Sequence, residues 1–311
     1  MSGINLFKRK IKKNHMNTAF ESFLKGFSIE VMPRTAEKIK DFRQILPSGT
    51  RVYIAHIEGT PINDMVATAR RISDEGFPVM PHFPARIVKD RKTLAEWIAR
   101  YRNEAGVEQA LVLAGGISKP QGDFESSMQL LETGEFGKAE FKRLHVAGHP
   151  EGNRDIDPDG SNSNVDAAIR WKQAFSETSN AEMAIATQFM FDPQPAIKWA
   201  DNLKKSGVNL PVHIGIAGPA KLQTLIKFAV ACGVGPSLKV LQRRALDVTK
   251  LIMPYEPNEM LDCLAGHKSK HPESNIANVH FFPLGGIMAT AKWVMQNGGD
   301  SGRPKTSKDS A

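Results

Sequence analysis

The segment MAIATQFMFD, residues 183–192, is an apolar run that reaches one uncharged polar side chain, Gln188, with two aromatic residues close behind it. A continuous apolar stretch of this kind predicts a strand buried on both faces, as in a parallel sheet covered by helices. Gln188 stands at the carboxyl end of the strand, where barrels and open parallel sheets bind their ligands. Considered alone, Gln188 is explained as well by a cap on the strand or a bond to a neighbouring loop.

Seven other apolar segments alternate with helical patterns along the chain. Thr35, Thr60 and Pro61 mark helix starts, and Gly76 marks a helix end. This alternation predicts a single-domain (β/α)8 barrel. A doubly wound sheet is the alternative, but it would show a phosphate-binding glycine fingerprint after its first strand. The predicted strands are 27–34, 51–55, 77–81, 108–113, 143–147, 183–188, 211–215 and 279–284, and the predicted helices are 36–46, 62–76, 91–106, 124–135, 165–175, 194–206, 219–232, 238–253, 258–265 and 287–295.

The positive charge is concentrated near the amino terminus. Five basic residues fall within 8–13, and the net charge of the whole chain is +8. The nearly neutral body has no basic stripe, which argues against nucleic acid as a partner. We therefore expect a basic arm or helix at 1–26, the barrel at 27–297 and a disordered tail at 298–311.

The sequence carries no signal for export or membrane insertion. No apolar run is long enough for a membrane span and none follows the basic opening, so we expect neither a membrane partner nor secretion. Cys232 and Cys263, the two cysteines, lie in helical patterns without CxxC spacing. We expect both to be reduced and packed, which indicates a cytoplasmic protein.

Polar side chains stand at several predicted strand ends. The carboxyl ends of all strands meet at one rim of a barrel, so this repetition favours a ligand site over chance strand caps. A zinc site built from histidines is an alternative, but no aspartate at the rim stands out as a metal partner, and we favour an organic cofactor. The strand-end residues are Glu30, His56, His82, Gly115, Gly116, Gln188 and His213, with His149 and Glu151 in the fifth loop.

Seven short motifs mark these strand ends. They are SIEVMPR at 28–34, MPHFPA at 80–85, LVLAGG at 111–116, AGHPEGN at 147–153, IATQFMFD at 185–192, IGIAGP at 214–219 and VHFFPLGG at 279–286. Together and in this order they resemble the methylenetetrahydrofolate reductase family, flavoproteins with a (β/α)8 barrel. The first and the sixth motifs are the most specific for this family. The matching motifs extend over the predicted barrel, as they do in the short bacterial members.

The resemblance implies a reaction and a cofactor, FAD. Glu30 matches the family's general acid, which protonates N10 of 5,10-methylenetetrahydrofolate before reduced flavin gives a hydride to the methylene carbon, forming 5-methyltetrahydrofolate. Burial between Ile29 and Val31 is expected to raise the Glu30 pKa for that task. The positions that match folate contacts are Gln188, Gly116 and Leu222, and those that match FAD contacts are His56, His82, Leu113, Ala114, Gly115, His149, Asn153, Asp166, Lys172 and Phe282.

Four positions depart from the family pattern. Gly116 replaces an aspartate beside the flavin, Phe282 and Gly286 replace a tyrosine and an arginine near the adenine dinucleotide, and His56 replaces a threonine. Loss of a negative charge beside the flavin makes its reduced, anionic form easier to reach.

These departures leave the electron partner open between NAD(P)H and another donor or acceptor. They predict a divergent member that works without NADH or in the oxidative direction, in one-carbon metabolism from demethylation. The family also leads us to expect a homo-oligomer. The alternatives are a non-catalytic pterin- or flavin-binding subunit of a methyl-transfer complex and a metal-dependent barrel hydrolase.

Overall fold

The computed structural model describes residues 19–234, 239–243 and 253–299, and its eight strands are all parallel and close into a barrel in chain order. This confirms the predicted (β/α)8 fold. The strands are β1 (Ser28–Val31), β2 (Arg51–Ile54), β3 (Val79–Pro84), β4 (Gln109–Leu113), β5 (Arg143–Gly148), β6 (Glu182–Met190), β7 (Val212–Ala217) and β8 (Ile276–Phe282).

Helices follow the strands and cover the outside of the barrel. Along the second helix the buried side chains Met65, Val66, Ala69 and Ile72 recur at the spacing of one helical face, and this face packs on the sheet. The helices are α1 (Pro33–Ala36), α2 (Ile62–Asp74), α3 (Arg91–Ala105), α4 (Ser127–Glu132), α5 (Glu135–Lys138), α6 (Ser163–Thr178), α7 (Pro193–Lys205), α8 (Leu222–Ala231), α9 (Asn258–Lys270) and α10 (Ile287–Gln296), with 3₁₀ turns at Phe42–Gln44 and Ala85–Ile87.

The predicted helix at 36–46 is wrong. The chain enters α1 directly after β1, because Pro33 occupies the first helical position, and α1 lasts four residues. Thr35 is inside this turn rather than at its cap, and its hydroxyl accepts a hydrogen bond from the Met32 amide. The end of α1 lies beside α2, from which the Arg71 side chain donates a hydrogen bond to the Ala36 carbonyl oxygen. Tertiary partners thus replace the helical hydrogen bonds that local propensity favours.

One other predicted helix differs from the structure. The predicted helix at 124–135 is divided into α4 and α5 at Gly134, whose φ of +71° ends regular helical geometry. The predicted helix at 238–253 lies mostly outside the described residues. The packed body begins before residue 27, because Phe20, Phe23 and Leu24 are buried in the main core, where Phe20 meets Trp293 of α10 edge to face.

The apolar core lies mainly between the barrel and its helices, whereas the inside of the barrel is partly polar. A small cluster of Tyr53, Met80, Leu111 and Ala186 fills part of the interior. None of the helices in the described part of the chain combines the length and apolarity that a membrane span requires.

Candidate functional site

A cavity of about 850 Å³ opens at the carboxyl rim of the barrel. It is lined by the ends of β1, β3, β6 and β8 and by the first turn of α10. This is the rim at which the strand-end side chains predicted a ligand site. Seven of the predicted site residues line it, namely Glu30, His56, His82, Leu113, His149, Gln188 and Phe282.

Glu30 faces two imidazole rings from other strands. Its side chain is only 17% exposed, and His82 Nε2 of β3 is 3.3 Å from its Oε2 atom. His280 Nε2 of β8 is 3.7 Å from the same oxygen. Neither Nε2 atom makes an aligned hydrogen bond with any described residue. The carboxylate is therefore the polar group that both buried ring nitrogens meet.

The pKa of Glu30 is low. Burial by itself raises the pKa, as the sequence predicted, but the contacts with His280 and His82 outweigh burial and lower the pKa from the ordinary 4.5 to about 2. The expectation of a raised pKa is wrong because the rings that stabilise the anion come from strands distant in sequence. At neutral pH Glu30 is a carboxylate, which can accept a proton.

Sequence reasoning missed His280 as a site residue. It lies in the interior of β8 and is 1% exposed, whereas the site residue predicted in this motif was Phe282, the last residue of the strand. Burial lowers the pKa of His280 despite the neighbouring Glu30, so the ring is neutral at pH 7. The sequence did carry a signal for His280, namely an ionisable side chain inside an otherwise apolar strand. Buried ionisable groups usually have a polar partner, so such a residue indicates a polar contact inside the barrel.

Gln188 reaches the cavity through an irregularity in β6. The register of β6 against β7 shifts between Ala186 and Phe189. The strands approach closely here, since a Cβ on Gly215 would lie 2.6 Å from the Gln188 carbonyl oxygen. Gln188 Oε1 accepts a hydrogen bond from the Phe189 amide at 3.1 Å. The side chain therefore lines the cavity and also accepts a hydrogen bond from the next residue of its own strand, which continues to Met190.

Two further histidines give the cavity neutral polar groups. His56 Nε2 is 3.0 Å from the Thr60 carbonyl oxygen, its Nδ1 has no partner among the described residues, and burial lowers its pKa. His149 has its pKa lowered to about 4, by burial and then by the positive charge of Lys172. Lys172 is itself buried behind the cavity, where Nζ donates to the Ala147 carbonyl oxygen at 2.9 Å and burial lowers its pKa to about 8.

The other predicted site residues do not line this cavity. Leu222 is buried in an apolar cluster at the start of α8, and Asp166 is exposed on the first turn of α6. Asn153 stands behind His149, with Nδ2 3.4 Å from the histidine Nδ1. At the end of β4 the Ala114 carbonyl oxygen accepts a hydrogen bond from a backbone amide. The residues outside the cavity lining are Ala114, Gly115, Gly116, Asn153, Asp166, Lys172 and Leu222.

A metal centre has no ligand set in the part of the chain that the structure describes. No group of three histidine, cysteine, aspartate or glutamate side chains is placed there to hold a metal ion. The metal-hydrolase alternative therefore gains no support from these residues.

Comparison with known proteins leaves the family of this chain open. No family model matches the sequence. Among solved structures, hydroxymethylglutaryl-CoA lyase from Pseudomonas aeruginosa is similar with a TM-score of 0.38 and 11% sequence identity, over 83% of this chain and 76% of that chain. A likeness at this level carries no inference about the site.

Proposed function

We propose that this protein is a flavin-dependent oxidoreductase that interconverts 5,10-methylenetetrahydrofolate and 5-methyltetrahydrofolate, with Glu30 as the proton-transferring residue. One observation carries the proposal. Glu30, which faces two buried histidines, and Gln188, the fourth residue of the sixth-strand motif, line the same rim cavity. The family resemblance predicted a functional role for both residues from separate strands. Their convergence supports a shared ligand.

The cavity lining offers surface that would suit the ring system of a flavin. Leu113 and Phe282 give apolar surface for a flat ring system, and the buried His56 Nδ1 atom offers a polar contact without a partner among the described residues. A flavin bound there would supply hydride transfer at its N5 atom. Five of the ten positions predicted to contact FAD lie outside the cavity lining, namely Ala114, Gly115, Asn153, Asp166 and Lys172.

The ionised form of Glu30, which is present at neutral pH, is the form from which the oxidative direction starts. In that direction the methyl carbon on N5 of the folate would lose a hydride, for which oxidised flavin would be the acceptor, and would become an iminium carbon. N10 then bonds to that carbon, and the N10 proton passes to a Glu30 carboxylate oxygen. The reductive direction needs Glu30 to be protonated first, which a pKa of about 2 opposes at neutral pH. Gln188 orients the folate, as the resemblance implies.

The first test is spectroscopic. The purified protein is loaded with FAD, freed of excess FAD, and mixed anaerobically with 5-methyltetrahydrofolate while the visible flavin absorption is followed. We expect the absorption to bleach. A protein that retains no flavin, or a bound flavin that stays oxidised, would contradict the proposal.

A pair of variants separates an enzyme from a binding module. Glu30→Gln should slow the bleaching by at least about a hundredfold, the lower range for loss of a general acid or base, with folate affinity nearly unchanged. Glu182→Gln is the matched control, because Glu182 lies at the opposite end of the barrel and pairs with Arg143 on the surface. Equal bleaching rates for both variants would contradict the role of Glu30 in proton transfer, whereas no bleaching in the wild type or in either variant would favour the non-catalytic alternative. Oxidation of NADH with a quinone acceptor would contradict an NADH-independent reaction.

A further inference from the structure

Two positively charged side chains line the rim cavity. They are Arg34 in α1 and Lys38 just after it, and both are exposed to solvent. Among the described residues that line the cavity, Glu30 is the only acid, and its side chain is mostly buried. The lining therefore carries a negative charge inside the cavity and two positive charges at its mouth.

Neither of these cations has a partner within the described part of the chain. Arg34 and Lys38 make no ion pair and no side-chain hydrogen bond with any described residue. By contrast, Arg86, which follows β3 at the same rim, pairs with Asp155 at 2.6 Å and donates to the Ile117 carbonyl oxygen at 2.8 Å. Arg34 and Lys38 are therefore available to an anion that a ligand brings.

The backbone holds the two cations one helical turn apart. The chain stays helical from α1 through Glu37, which has a φ of −55° and a ψ of −29°. Residues four apart on such a backbone have Cβ atoms about 5–6 Å apart. Pro33 begins this turn two residues after the end of β1, the strand that carries Glu30. One short segment of the chain thus positions the acid inside the cavity and both cations at its mouth.

Three exposed apolar side chains lie around the rest of the mouth. Ile57 after β2 is 53% exposed, Phe228 of α8 is 37% exposed and Met288 of α10 is 57% exposed, and all three line the cavity. They are three of the five large apolar side chains that are exposed in the described part of the chain. Exposed apolar surface gathered at one place marks a binding site, whereas single exposed residues need no explanation. The mouth is therefore part of the ligand site.

These features together define the chemistry of the ligand. The cavity volume of about 850 Å³ lies in the upper part of the range for small-molecule sites, about 300–1,000 Å³, so a ring system and an attached chain both have room. We propose that Arg34 and Lys38 form a subsite for an oxyanion, a carboxylate or a phosphate, at the outer end of a ligand whose ring system lies beside Glu30. The apolar side chains at the mouth cover the part of the ligand between these two ends.

The identity of the ligand rests on the proposed function, whereas the charge of its outer end rests on the cavity itself. Under the proposed function two ligands carry a suitable oxyanion. The folate has glutamyl carboxylates, and FAD has a pyrophosphate. Binding measurements can separate the two, because each ligand has an analogue that lacks the anionic group.

The test compares these ligands in the full chain by isothermal titration calorimetry. One pair is 5-methyltetrahydrofolate and its pteroylamide analogue, in which an uncharged amide replaces the glutamyl group. The other pair is FAD and riboflavin. Each is titrated into the wild type and into the double variant Arg34→Gln/Lys38→Gln, at low and at high salt.

We expect the double variant to bind one of the two anionic ligands about tenfold more weakly, which is the effect of losing two exposed ion pairs of a few-fold each. Its affinity for the uncharged analogue should stay within about twofold of wild type. High salt should shrink the difference between the two proteins, because it screens exposed charges. Arg34→Lys keeps the charge and should bind nearly as the wild type does.

The matched control is Lys198→Gln/Lys205→Gln. It removes the same charge from two exposed residues of α7 that do not line the cavity, and it should bind every ligand as the wild type does. A loss confined to the folate pair would identify a carboxylate at the subsite, and a loss confined to the FAD pair would identify a phosphate. Equal losses for charged and uncharged ligands, an equal loss in the control, or no binding of any of the four ligands would overturn the subsite.

The bleaching assay separates this inference from the proposed function. If the anionic ligand depends on Arg34 and Lys38 but the bound flavin stays oxidised with 5-methyltetrahydrofolate, the subsite stands and the proposed function fails. If the flavin bleaches and the double variant binds all four ligands as the wild type does, the proposed function stands and the subsite fails.

Discussion

Replacing Glu30 by glutamine measures the electrostatics of the cavity without requiring any reaction. The folded state lowers the pKa of Glu30 from 4.5 to about 2, and each unit of pKa corresponds to about 1.4 kcal/mol. Because the folded pKa is the lower one, this contribution is fully present above pH 4.5 and is lost as the pH falls toward 2. Its full size is about 3 kcal/mol, and the side chain is too little exposed for solvent to screen most of it.

Glutamine has nearly the shape of a protonated glutamate, so Glu30→Gln should resemble the acid form at every pH. We expect the free energy of unfolding of the variant at pH 7 to lie below that of the wild type by up to about 3 kcal/mol. The difference should stay constant down to about pH 5 and shrink to about half near pH 3. Denaturant titrations at a series of pH values, followed by both circular dichroism and fluorescence, give these energies.

Glu182→Gln serves as the control for this measurement as well. Glu182 pairs with Arg143, but its side chain is 73% exposed, so its loss should change the unfolding free energy by less than about 1 kcal/mol. A Glu30→Gln variant as stable as the wild type at pH 7, or more stable, would refute the reasoning. Such a result would mean that the unfavourable free energy of desolvating the Glu30 carboxylate exceeds the stabilisation that His82 and His280 provide.

Two further predictions concern packing and a buried charge. Gly148→Ala should lower the unfolding free energy by about 1–3 kcal/mol, because the new Cβ would clash with Ile185 and lie 2.8 Å from Trp199 Cη2. Gly116→Ala is the control: it has open space around it and should change the unfolding free energy by less than about 0.5 kcal/mol. Equal losses of stability for the two variants in thermal or denaturant unfolding would contradict this prediction. Lys172 has a pKa of about 8 in the folded protein against an ordinary value of 10.5. Between pH 8 and pH 10.5 the Lys172 amine is therefore protonated in the unfolded chain but mostly neutral in the folded protein. The free energy of unfolding of the wild type should consequently rise with pH across this window, by up to about 3 kcal/mol. Lys172→Met should lose this rise while the exposed Lys198→Met keeps it, and a rise of equal size in all three proteins would show that another group is responsible.

The sequence determined the architecture because the signals for it are local. Apolar strands alternating with amphipathic helices leave few folds open, and all eight strands occur where their patterns placed them, within a few residues. Strand ends meet at one rim in any such barrel, so Glu30, His82 and Gln188 could be placed in one cavity from their positions in the strands alone.

Tertiary structure decided the chemistry of that cavity, because pKa values depend on groups close in space rather than in sequence. Local burial suggested a protonated Glu30, and the two histidines from β3 and β8 made it a carboxylate. The helix after β1 ended early for the same reason, since α2 supplied the backbone partners. His280, which contacts the Ser28 hydroxyl and packs against the Tyr53 ring, was hidden inside a strand that pattern analysis treats as core, and only the closed barrel brings these side chains together.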